Sequence, residues 1–103
     1  MRSKFLSFLG LVKRSGNILD GYNKCEEIIG KKKVHLVIFS NEISAKSKEK
    51  FMKKCEKLNI QCMDGFSKEE LGLSIGKKEI NIVGVLNKNM ADKLKSYDLE
   101  QVL

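Results

Sequence analysis

The sequence predicts an α/β fold, a three-layer α/β/α sandwich built on a small mixed sheet of four strands. Three observations predict it. Segments whose apolar residues recur at helical spacing alternate along the chain with short runs of strand-forming residues. One of those runs, Val34 to Phe39, is apolar at nearly every position, as a strand covered on both faces must be. Glycines and capping residues fall between the segments, and no proline interrupts any of them.

Phe5, Leu6, Phe8, Leu9 and Val12 form an apolar stripe with Lys4, Lys13 and Arg14 off it, which predicts an amphipathic helix over Ser3 to Ser15, stopped by Gly16. Asn17 to Asp20 has room only for a short strand. Asp20 and Gly21 then open a second helix through Tyr22, Cys25, Ile28 and Ile29, ended by Gly30. Val34 to Phe39 is the central strand. Ser44 caps a long helix whose expected buried stripe is Phe51, Met52, Cys55 and Leu58, with Lys46, Lys48, Lys50, Lys53, Lys54 and Lys57 on the remainder. Ile60 to Met63 reads as a third strand, closed by a turn at Asp64 and Gly65. Ser67 and Glu70 form a capping box for a short helix running through Leu71 and Ile75 to Gly76. Ile80 to Leu86 is the fourth strand, and Asn87 to Asn89 lead into a last helix containing Met90 and Leu94.

With 103 residues, 42% hydrophobic and 32% charged, the chain has the size and balance of one folded domain spanning residues 1–103, expected to act as a monomer. No window approaches the roughly 18 consecutive apolar residues of a membrane span. Lys13 and Arg14 end the N-terminal apolar run with no small-residue cleavage site after it, so a cytoplasmic protein is expected. Cys25, Cys55 and Cys62 lack the paired spacing of zinc ligands and His35 is the only histidine, so neither a metal nor a cofactor is expected.

Charge is distributed unevenly. Met1 to Lys57 carry 14 basic and 6 acidic residues, whereas Leu58 to Leu103 carry 6 and 7. A concentrated positive field suits a polyanion, because each phosphate neutralised by a lysine releases condensed counterions. The same charge would also serve as a solvated surface that keeps the protein soluble.

Catalytic constellations are absent from the sequence. The glycines form neither a dinucleotide fingerprint nor a phosphate-wrapping loop. His35 lies in the most apolar strand, and the Glu26-Glu27 and Glu69-Glu70 pairs are helix neighbours that point apart. Binding is therefore expected, not catalysis. The best material for it is Asp20-Gly21-Tyr22-Asn23-Lys24, a strand-to-helix corner. A helix start offers N–H groups to phosphate, Asn23 has an amide able to donate and accept, and Gly21 permits close approach. Such a cluster also serves as a plain helix cap. Tyr22 could stack on a base or cover the edge of the core, and the core edge is favoured.

Four stretches carry a family resemblance: Leu9-Gly10-Leu11-Val12-Lys13-Arg14 leading to Gly21, Val34 to Glu42, Cys55 to Ile60, and Leu71 to Lys77. In this order they resemble, from Phe8 to about Leu94, the L7Ae/L30e group of kink-turn RNA-binding proteins, with the nearest likeness to small bacterial members of the YlxQ type. The resemblance implies an α/β/α sandwich and a structured RNA partner, ribosomal or another kink-turn RNA, with the ribosome as an expected setting. It implies that Gly21, Tyr22, Asn23 and Lys24 grip the bent RNA at its sheared pairs. It also implies that a loop of Lys77, Lys78, Glu79 and Ile80 covers an extruded nucleotide, and Lys31, Lys32 and Lys33 are expected to add a phosphate clamp. Lys24 and Glu27 stand where archaeal and eukaryotic members have Glu and Lys, so the charges are exchanged, and Glu27 is expected to turn away from the RNA. A protein-interaction module that keeps the fold without the RNA site is the alternative reading.

Overall fold

The computed structural model describes residues 2–97; Met1 and residues 98–103, the ends of the expected domain, lie outside the described residues. Five helices, α1 (Arg2–Arg14), α2 (Tyr22–Ile28), α3 (Ala45–Leu58), α4 (Lys68–Ser74) and α5 (Lys88–Lys95), alternate with strands β1 (Ile18–Asp20), β2 (Leu36–Ser40), β3 (Gln61–Phe66) and β4 (Ile82–Val85). The strands form one sheet in the order β1-β4-β2-β3. Within it β4 runs antiparallel to both β1 and β2, and β2 runs parallel to β3. This is the mixed sheet and sandwich expected from the alternation of periods.

Side chains alternate across the sheet and build two cores. On one face Phe5, Leu9 and Val12 of α1, Leu71 of α4 and Ala91 and Leu94 of α5 meet Leu36, Ile38, Val83 and Val85. On the other, Cys25 of α2 and Phe51 and Cys55 of α3 meet Leu19, Val37, Phe39 and Ile82. All five residues of β2 are buried, as its apolar sequence requires.

Three expectations are corrected. Asp64 and Gly65 do not make a turn: β3 runs through them to Phe66, and the pairing Ile38 with Met63, then Ser40 with Phe66, leaves one extra residue on β3. Gly65, at φ 111°, absorbs that bulge, so the residue that looked like a turn signal is a strand irregularity. Met52 and Leu58 are 37% and 42% exposed, because α3 buries only the narrow row of Phe51 and Cys55 against the sheet. Finally, β4 begins at Ile82, not Ile80.

The helix ends follow local chemistry. Ser67 and Glu70 form the expected capping box, Ser44 accepts from the Ser47 N–H, and Asn59, at φ 58°, closes α3 in the left-handed conformation.

Close packing of α4 then places the segment that follows it. A Cβ on Gly72 would lie 2.5 Å from the Glu79 Cα, so only glycine lets that backbone lie against the helix. Gly72→Ala should therefore cost about 1 to 3 kcal/mol in denaturant unfolding. Gly30→Ala, where nothing lies within 4 Å, should stay within about 0.5 kcal/mol of wild type.

Candidate nucleic-acid interface

Gly21 ends β1 after three residues. At φ 102° it turns the strand directly into α2, while its N–H still donates to the Ile82 carbonyl at 3.0 Å, so the corner is fixed to the sheet. No side chain caps α2, which leaves the first N–H groups of this seven-residue helix without an internal acceptor.

Asp20, expected to help open α2, is engaged elsewhere. Its Oδ2 accepts from Lys13 Nζ of α1 at 2.8 Å and lies 3.6 Å from Lys77 Nζ, with the aspartate side chain only 8% exposed. Burial alone would raise this carboxyl. The hydrogen bond and charge of Lys13, aided by the charge of Lys77, outweigh burial and hold the group below the ordinary carboxylate range.

That pairing brings Lys77 beside the Gly21 corner. The Lys77 segment is held by Gly76 at φ 79°, by the close approach to Gly72, and by the Ile80 N–H donating to the Lys68 carbonyl at 2.9 Å. Lys77, Lys78, Glu79 and Asn81 are exposed, with Glu79 paired to Lys68. Ile80 is not: its side chain is 8% exposed and belongs to the core, which corrects its place among the expected contact residues.

On α2, Asn23 and Lys24 are exposed. Tyr22 covers the core edge, its ring edge-on to Phe51 at 5.1 Å between centroids and its hydroxyl beside Glu26 and Lys50. Glu27 is exposed and follows Asn23 by four residues on one helix, so the two share a face.

Lys31, Lys32 and Lys33 do not join this site. β1 delivers Gly21 to one end of the sheet, α2 runs back, and the three lysines precede Val34 at the other end, where the His35 N–H donates to the Val85 carbonyl. The length of α2 separates them from the corner.

Sequence reasoning missed Lys13, Ser40 and Asn81. The buried Ser40 hydroxyl donates to Asn81 Oδ1 at 2.6 Å and accepts from the Glu42 N–H, while the Ser40 N–H donates to the Asn81 carbonyl at 2.8 Å. Asn81 is thus a fixed, exposed amide one residue before the strand that holds Gly21. The available signal was the polar Ser40-Asn41-Glu42 triplet at the end of an apolar strand.

Among the described residues no three His, Cys, Asp or Glu side chains form a metal-binding group. No described helix is long and apolar enough to cross a membrane. The three thiols are buried, and burial, then the nearby Asp20 charge, pushes Cys25 up to about 12.

A lowered Asp20 carboxyl stabilises the fold above the ordinary carboxylate range, and that stabilisation is lost as pH falls through the folded-state value. In urea unfolding, wild type should therefore exceed Asp20→Asn near neutral pH, with the gap closing in acid. A gap independent of pH would contradict the pairing.

The model of the Ribosomal protein L7Ae/L30e/S12e/Gadd45 family matches residues 3–95. The RNA-binding protein YlxQ of Enterococcus faecium is 28% identical over 94 residues, covering 91% of this chain and 90% of its own. A solved structure of a protein with unknown function from Bacillus halodurans C superposes with a TM-score of 0.86 at 31% identity, over 90% of this chain and 94% of that one. With the family match reaching from the first turn of α1 to the last residue of α5, the chain belongs to the Ribosomal protein L7Ae/L30e/S12e/Gadd45 family.

Proposed function

We propose that the protein binds structured RNA at a sharp, kink-turn-like bend, in ribosomal or other structured RNA, as a cytoplasmic monomer and without catalysis. The observation that carries this reading is the Asp20 pairing, which gathers Lys77 from beyond α4 beside the Gly21 corner. Family membership and the RNA-binding name of the YlxQ relative support RNA as the partner class.

The chemistry of the corner fits a bend better than a regular duplex. The A-form major groove is too narrow for side chains, so proteins grip RNA where bases are unstacked or the backbone turns. Gly21 lets a backbone approach closely, and the exposed Asn23 amide can donate to and accept from a base edge. Lys24 and Lys78 are exposed cations, and Lys77, 52% exposed, keeps a free side for a phosphate. Tyr22 and Ile80 act from within, holding α2 and the Lys77 segment against the two cores.

Glu27 beside Asn23 opposes a phosphate on that face, and it is the observation that favours the protein-interaction alternative. Titration against kinked and straight-duplex RNAs at two salt concentrations separates the readings. Tighter binding to the kinked RNA is expected, with Asn23→Ala losing about 1 to 3 kcal/mol of it. Equal affinities, together with a pulled-down partner that survives nuclease, would move the corner to the protein-interaction reading. Glu27→Lys should strengthen RNA binding and steepen its salt dependence by about one unit of slope; no change would mean that the α2 face does not meet phosphate.

A further inference from the structure

The lysines of α3 are sorted by side. Lys46, Lys50, Lys54 and Lys57 recur at intervals of four, four and three, which places them along one flank of the helix. Lys50 fixes which flank this is, because its ammonium meets Glu26 and the Tyr22 hydroxyl of α2. Glu49 and Glu56, seven residues apart, fall on another side, where Glu49 pairs with Lys53. Lysine thus predominates along the α2 side of α3.

The strip continues past the end of the helix. Leu58 and Ile60 line a shallow groove together with Lys31, Lys32 and Lys33, so the lysine run before Val34 adjoins the C-terminal end of α3. Among the described residues, Lys31, Lys32, Lys33, Lys46, Lys54 and Lys57 form no ion pair. The carboxylates nearby are Glu26, occupied by Lys50, and Glu56 beside Lys53, Lys54 and Lys57. Cation therefore exceeds anion along a path at least as long as α3, about 20 Å at the helical rise.

We propose that this strip is a second RNA contact, which holds the phosphate backbone of a helical arm leaving the bend and does not read sequence. The inference rests on the RNA-binding reading of the Gly21 corner. It adds a surface running to the opposite end of the sheet, where the corner cannot reach. The chemistry is that of backbone contact: lysines are point charges on flexible stems, and along the strip they far outnumber the one exposed amide, Asn59 at the end of α3. It also gives the lysine run before Val34 a binding partner separate from the one at the corner.

The test uses four exposed members, Lys31→Gln, Lys33→Gln, Lys46→Gln and Lys57→Gln combined, against kinked RNAs whose arm is either shorter than α3 or about twice its length. Wild type is expected to show a steeper salt dependence on the long-armed RNA. The combined variant should lose that excess, flattening the long-arm slope by about 3 to 4 at roughly 0.9 per duplex phosphate released, with short-arm affinity unchanged. Replacing the same four lysines with arginine should keep the excess. Wild-type behaviour of the glutamine variant on both RNAs would overturn the proposal and leave the strip a solvated face. Failure at the corner looks different: wild type would bind straight and kinked RNAs alike, while the glutamine variant still lost slope on the long arm.

Discussion

A carboxylate with little access to water stays charged only where cations offset the loss of solvent, and Asp20 meets that requirement with Lys13 and Lys77. The pairing links three parts of the chain that sequence separates: the end of α1, the last residue of β1, and the segment after α4. Because Asp20 immediately precedes Gly21, whatever fixes the aspartate also fixes the strand-to-helix corner. The proposed interface depends on this one charge more than on any residue that would touch a ligand.

The rest of the fold makes that pairing possible. Gly10 allows α1 to lie close to the end of α4, where a Cβ would come 2.9 Å from the Ser74 carbonyl, and Gly72 allows the Glu79 backbone to lie on α4. These contacts belong to the face built from α1, α4 and α5, whereas α2 belongs to the opposite face. The corner thus draws its two halves from different layers and joins them at one end of the sheet, through the Gly21 bond to Ile82 and the Ser40 bonds to Asn81. A surface assembled this way is braced by both cores, which suits recognition of a shape.

The fold was legible in the sequence because its signals are local. The apolar run of β2, the Ser67 and Glu70 capping box and the glycine stops all act within a few residues. Tyr22 could be placed at the core edge because the helical period of α2 puts it near the buried row of Cys25 and Ile29. What failed depended on distant partners. Asp20 looked like a helix cap until Lys13 and Lys77 engaged it; Gly65 looked like a turn until β2 paired across its bulge. Ile80 looked like part of a loop surface, but the core took its side chain. Lys31 to Lys33 were expected to clamp phosphate, and the reversal along α2 shows that any such contact lies at the end of the sheet away from Gly21.

The exposed lysines thus fall into two groups, a compact corner that joins Lys24 of α2 to Lys77 and Lys78 from beyond α4, and a strip along α3, and the two would make different kinds of contact with one polyanion. The corner carries the central claim. Its most direct test is an amide NMR titration of the protein with a kinked RNA. The account predicts the largest shifts at Gly21, Asn23, Lys24, Lys77, Lys78 and Asn81. Saturable binding that leaves these six amides unmoved would contradict it.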